Sequence, residues 1–104
     1  MSDHETLPPL PATERIILEL LLEGGNEMFG LELIEASAGR LKRGSIYVTL
    51  QRMSKKGLVE SHEEPRPAPE IGIPRRLYNA SGYGIRVLRA YAMAESALAL
   101  EVGG

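Results

Sequence analysis

Six basic side chains, Arg40, Lys42, Arg43, Arg52, Lys55 and Lys56, fall between positions 40 and 59 with no acidic residue among them. Ammonium and guanidinium groups at that density, set among Ser45, Gln51 and the small Gly44, are equipped to hold phosphates and meet base edges rather than to make or break bonds. The same stretch carries Ile46, Leu50 and Met53 at the i, i+4, i+7 spacing of an amphipathic helix, and Gly57 stands where a left-handed residue would end it. At about 100° per residue the opposite face presents Gly44, Ser45, Val48, Gln51, Arg52 and Lys55. The spacing therefore predicts a helix over 43–57 with one face for a core and one for a nucleic-acid groove. Lysine-rich helices are often only solvated surface, but those usually mix signs, with Glu placed to pair with Lys four residues on. This one has no such Glu.

On that helix Ser45, Val48, Arg52 and Lys55 are expected to reach bases: Arg and Lys suit guanine O6 and N7, Ser several edges, and Val a thymine methyl. Lys42, Arg43 and Lys56 are expected to hold phosphates, where a point charge suffices. Tyr47 lies on the flank, and two roles stand open for it, core packing or a hydroxyl on a phosphate. Further on, Arg66, Arg75 and Arg76 could enter a minor groove or touch backbone. Strand alternation puts Arg75 and Arg76 on opposite sides, so Arg66 and Arg75 are the expected contacts. His4 and His62 are too isolated among ligand types to suggest a metal site, and no cofactor is expected. No glycine-rich phosphate loop and no nucleophile motif occurs, so an enzyme is not expected.

The net charge of −2 conceals a segregation. Residues 40–86 hold ten Lys and Arg against four acids, whereas the rest hold two against ten. Such a bipolar chain can turn a basic face to DNA while its acidic remainder is repelled, which orients it on a duplex. With 104 residues, one Phe, four Tyr and no Trp, the chain makes one domain with an aliphatic core, which favours helices. Cysteine is absent, which fits a reducing compartment and excludes thiolate chemistry. No apolar run approaches the roughly 18–20 residues of a membrane span, and the amino terminus lacks the order of a signal peptide. The expectation is a cytoplasmic protein without membrane contact.

Residues 1–11 contain three prolines and no periodicity, and read as a flexible arm. Thr13 reads as the N-cap of a first helix with Ile16, Ile17, Leu20 and Leu21 buried, ending at Gly24-Gly25. A second short helix begins at Met28-Phe29 and closes before Gly39, and Ser37–Leu41 connects it tightly to the basic helix. Three helices so spaced outline a helix-turn-helix. Residues 58–64 and 75–80 read as two strands joined by a stiff loop, since 65–74 hold four prolines. Helices plus such a hairpin make a winged helix over 12–80, mainly α with a small β-hairpin. Ser81 caps a last helix toward Val102, rich in alanine, with Ile85, Leu88, Tyr91, Ala92 and Leu98 among its apolar positions. So small a domain cannot cover that whole helix, so 81–104 is expected to dimerise through Leu88, Tyr91, Ala92 and Leu98.

Five pieces in order, Ile17-Leu18 to Gly24, Phe29-Gly30-Leu31-Glu32-Leu33, Gly44-Ser45-Ile46-Tyr47-Val48-Thr49-Leu50, Gly57-Leu58-Val59, and Pro74-Arg75-Arg76-Leu77-Tyr78 through Ser81 to Gly84, resemble the PadR-like family of bacterial transcription regulators. The resemblance covers about residues 14–90. It implies a homodimeric winged-helix repressor that reads a palindromic operator and dimerises through its carboxy-terminal helix. Lys42-Arg43 stands where the family has a Ser-Pro cap, Val48 where it often has Pro, and Phe29 precedes Gly30 where it usually has Gly then Tyr. A single helix after the wing resembles the short subfamily, without a separate effector domain.

A winged helix can instead serve as a protein-interaction adaptor, its basic helix binding an acidic partner without specific DNA contact. A small-molecule effector at a dimer interface is compatible with the regulator reading, although the absence of Trp disfavours a stacking drug pocket.

Overall fold

The computed structural model describes residues 7–64 and 75–103. Its elements are α1 (Ala12–Glu23), β1 (Met28–Phe29), α2 (Gly30–Ala36), α3 (Arg43–Lys55), β2 (Val59–Glu63), β3 (Arg76–Ala80) and α4 (Gly82–Gly103). The three strands form an antiparallel sheet in the order β1-β3-β2. The core is aliphatic, as composition requires. Ile17, Leu18 and Leu21 of α1, Leu33 of α2, Ile46, Leu50 and Met53 of α3, and Leu58 all lie almost wholly out of solvent. The expected apolar stripe of α3 is therefore the buried one.

Two local expectations need correction. The hairpin is a three-stranded sheet, because Met28 and Phe29 pair with Tyr78 and Leu77 instead of starting a helix. Gly25 and Asn26 turn the chain with positive φ (87° and 63°), and the Asn26 side chain extends the pairing: its Oδ1 accepts the Ala80 N–H at 2.7 Å and its Nδ2 donates to the Ala80 carbonyl at 3.3 Å. A two-residue strand is too short to show a period of two. α1 starts one residue before Thr13, with Pro11 at the cap position and no side-chain cap bond. The proline supplies the fixed φ that suits a helix start. Glu14 stands in the first turn of α1 and is fully buried.

Ser81 acts as expected and more. Its Oγ accepts the Gly84 N–H at 2.9 Å and donates to the Gly57 carbonyl, while its own N–H reaches the Leu58 carbonyl at 3.0 Å. One residue thus ties the end of α3, the start of β2 and the first turn of α4. Gly57 has the expected positive φ of 81°. The described part of the amino-terminal arm lies along the domain: Leu10 packs on the core, and the Pro8 carbonyl accepts the Tyr91 hydroxyl at 2.6 Å. The 65–74 loop, with Arg66, lies outside the described residues. Among the described residues no helix is long and apolar enough to cross a membrane.

Candidate nucleic-acid interface

A buried serine sets the turn between α2 and α3. Ser37 Oγ donates to the Ile34 carbonyl at 2.8 Å and accepts the Leu41 N–H at 3.0 Å, and the Ser37 carbonyl accepts Arg40 Nε at 3.0 Å. Ala38 and Gly39 complete the reversal with positive φ. Lys42 is the extended residue before α3, and its carbonyl, not its side chain, starts the helix by accepting the N–H groups of Ser45 and Ile46. The helix begins at Arg43 without the side-chain cap that Ser-Pro would supply.

α3 then shows three surfaces. Ile46, Thr49, Leu50 and Met53 are buried. Outward stand Gly44, Val48, Gln51 and Lys55, all exposed, with Ser45 exposed at one edge. Val48 is 61% exposed, with its methyls in solvent on the outward face. Among the described residues, no carboxylate pairs with Lys42, Arg43 or Lys55. These cations are therefore available to an external anion.

Arg52 and Lys56 are placed differently from what their charge suggested. Arg52 Nε donates to Glu14 Oε2 at 3.1 Å, and Lys56 Nζ sits 2.8 Å from Glu14 Oε1. At about 100° per residue, positions 52 and 56 share the flank of α3 that faces α1, so the buried carboxylate collects both. The signal for this lay in α1. Glu14 is in register with Ile17, Leu18 and Leu21 on the apolar stripe, and a carboxylate on such a stripe needs cationic partners.

Tyr47 is half exposed and takes neither role wholly. Its ring lies over Gly30, where an added Cβ would stand 2.7 Å from the phenol. It walls an open cleft of about 560 Å³ together with Phe29, Glu32, Glu35, Arg75, Arg76 and Tyr78. On the sheet, Arg75 lies 4.1 Å from the centroid of Phe29 and pairs with Glu64 at 3.0 Å. Its charge is thus engaged within the protein. Arg76 points the other way, with Nε and Nη2 on Ser61 Oγ at 3.2 and 3.1 Å and Glu63 farther off at 3.6 Å. Alternation separates the two arginines as expected, but Arg75, the expected DNA contact, is the more closely paired of them.

The dimerisation set divides. Leu88 is in the core, and Tyr91 packs on it and binds Pro8, so both serve their own protomer. Ala92 and Leu98 are exposed, as is every residue from 92 to 100. In that half of α4, Met93, Leu98 and Leu100 are more than 60% exposed. Its tie to the domain is Glu95, which accepts both Nη atoms of Arg15. That pairing holds the Glu95 carboxyl below its ordinary value and raises the Arg15 guanidinium. Burial pushes the Tyr78 phenol up.

Among the described residues no cluster of His, Cys, Asp and Glu could hold a metal ion. No curated protein matches the sequence. The fold resembles solved winged-helix regulators. One is a PadR family transcriptional regulator from Eggerthella lenta DSM 2243, 21% identical, with a TM-score of 0.66 over 88% of this chain and 80% of that one. Another is a PadR-like transcription factor from Bacteroides fragilis, 19% identical, with a TM-score of 0.71 over 88% and 86%. A third is a PadR family regulator from Clostridium difficile R20291, 23% identical, with a TM-score of 0.61 over 86% and 98%. At these identities the likeness shows the fold. The model of the transcriptional regulator PadR-like family matches residues 17–90, most of the sequence. The chain therefore belongs to the PadR-like family, whose members are DNA-binding transcriptional regulators and not enzymes.

Proposed function

We propose that the protein is a repressor that binds a palindromic operator as a homodimer, with α3 in the major groove. One observation carries this reading: the outward surface of α3, with Val48, Gln51 and Lys55 exposed beside Ser45, Lys42 and Arg43, has no carboxylate on it or paired to it among the described residues. Gln51 and Lys55 suit adenine and guanine edges, Val48 a thymine methyl, and Lys42 and Arg43 the flanking phosphates. Arg52 and Lys56 hold the helix to α1 in this reading. The exposed apolar half of α4 beyond Tyr91 supports dimerisation, since a surface of Met93, Leu98 and Leu100 is stable when a second copy covers it. A two-fold dimer would set its recognition helices about 34 Å apart, one turn of DNA. The cleft beside Tyr47 has a volume suited to a small-molecule effector.

The test is a titration of fluorescent DNA from upstream of the gene against a random duplex of equal length at two salt concentrations. Salt-sensitive binding that prefers the upstream fragment, falls in Lys55→Ala, and lowers expression of a reporter behind that fragment is expected. Saturable binding to a partner protein with none to either duplex would favour the adaptor reading.

A further inference from the structure

A second recess opens beside the cleft, between the flank of α3 and the face of the sheet. It is narrower, about 290 Å³, and is lined by Tyr47, Gln51 and Ser54 of α3 and by Ser61, Arg76 and Tyr78 of the strands. The α3 residues follow the i, i+4, i+7 rule along one side of the helix, and Ser61 and Tyr78 are cross-strand partners opposite. Hydroxyl, amide and guanidinium groups line it, every one able to donate a hydrogen bond, and no carboxylate does. The neighbouring cleft shares Tyr47, Arg76 and Tyr78 with it but differs in this respect, since Glu32 and Glu35 stand in its wall. Ser61 Oγ already accepts two N–H groups of Arg76, which fixes the guanidinium in the recess and leaves the serine proton free to donate.

We infer that this recess is a clamp for one DNA backbone phosphate, gripped between Tyr47 and Ser54 on the helix side and Ser61 and Arg76 on the wing side. The inference rests on the placement of α3 in the major groove. A helix of about 10–12 Å diameter fills a groove about 12 Å wide, so the phosphate walls of the groove run along its flanks. The flank toward α1 is occupied by the Glu14 network, whereas the flank toward the sheet is the donor-lined one. Phosphate is favoured over an uncharged occupant because the lining offers one cation, whose nearest carboxylate is Glu63 at 3.6 Å outside the lining, and several donors. Arg76 is then the wing residue at DNA, and Arg75, spent on Phe29 and Glu64, is not. Such a contact fixes register and carries no base information.

The experiment measures affinity and its salt dependence for wild type, Arg76→Gln and Ser54→Ala on the upstream and random duplexes, with circular dichroism confirming the fold. Arg76→Gln should lose on the order of ten-fold in affinity on both duplexes alike, with the salt slope shallower by about 0.9 for each phosphate no longer neutralised. Ser54→Ala should lose a few-fold on both with the slope unchanged, because no charge is removed. A duplex scanned with single neutral methylphosphonates should show one position at which Arg76→Gln no longer matters. Wild type that binds DNA while Arg76→Gln keeps its affinity and slope overturns the clamp alone. Wild type that binds neither duplex overturns the DNA reading of α3 and the clamp with it.

Discussion

Stripping the two cations from Glu14 should destabilise the protein more than neutralising Glu14 itself. The Glu14 side chain is 1% exposed, whereas Arg52 and Lys56 are 52% and 34% exposed. In Arg52→Ala with Lys56→Ala, the carboxylate stays in the interior without a partner. Breaking a fully buried pair in this way costs about 3–5 kcal/mol, and water entering the vacated flank reduces this to about 2–3 kcal/mol. In Glu14→Gln the amide keeps the volume and one acceptor, and the two half-exposed cations return to water, at about 1 kcal/mol. Adding Glu14→Met to the double variant removes the stranded charge and should recover most of the loss, since an apolar group of similar size replaces a buried ion pair at little cost. At roughly 4–8 °C per kcal/mol for a domain of this size, the double variant should melt about 10–20 °C below wild type and Glu14→Gln about 5 °C below. Thermal melts by circular dichroism at one protein concentration measure this, the concentration being matched because any self-association would shift apparent stability. If Glu14→Gln melts at or below the double variant, or if Glu14→Met brings no recovery, the carboxylate is not the costly partner and the reasoning fails.

Three further outcomes are expected. In Gly30→Ala the added Cβ would stand 2.7 Å from the phenol end of the half-exposed Tyr47, which can swing aside, so the loss should stay within about 1 kcal/mol and Tyr47→Ala in the same chain should relieve it; a larger loss, or additive effects in urea denaturation, would refute this reading of the contact. The Arg15–Glu95 contact holds the Glu95 carboxyl below its ordinary value, so its stabilisation is complete above about pH 4.3 and fades as pH falls through the lowered folded value. Melting profiles between pH 3 and pH 6 should therefore be flatter in Glu95→Gln than in wild type, and parallel profiles would count against the pair. Leu98→Glu, at an exposed apolar position of α4, should shift the protein toward monomer in sedimentation equilibrium without lowering its helix content; an unchanged dimer would place the interface elsewhere.

Periodic and local features were legible in the sequence. The apolar stripe of α3 at Ile46, Leu50 and Met53, its stop at Gly57, the cap at Ser81 and the order of helices around a wing were readable because each is encoded within a few neighbouring residues. Segregated charge was legible too, since a helix free of acids is visible by counting. β1 was not legible. Its two residues owe their conformation to β3, some 50 positions away, and to an Asn26 side chain whose partner is the Ala80 backbone. The Pro11 start of α1 escaped because Thr13 is the better cap by type, and only packing fixes where the turn begins.

The sequence by itself determined which stretch is basic and that it is a helix with a buried and an exposed side. The tertiary structure alone decided which cations are available. Arg52 and Lys56 go to Glu14, 38 and 42 residues earlier, and Arg75 goes to Phe29 and Glu64, whereas Arg76 takes Ser61 Oγ with Glu63 farther off at 3.6 Å. It likewise gave Leu88 and Tyr91 to the protomer's own core and left the later turns of α4 bare. The physical reason is the same in each case. A charge or an apolar group shows its type in the sequence, but its role depends on whether another element has already satisfied it, and that pairing is made across the fold rather than along the chain.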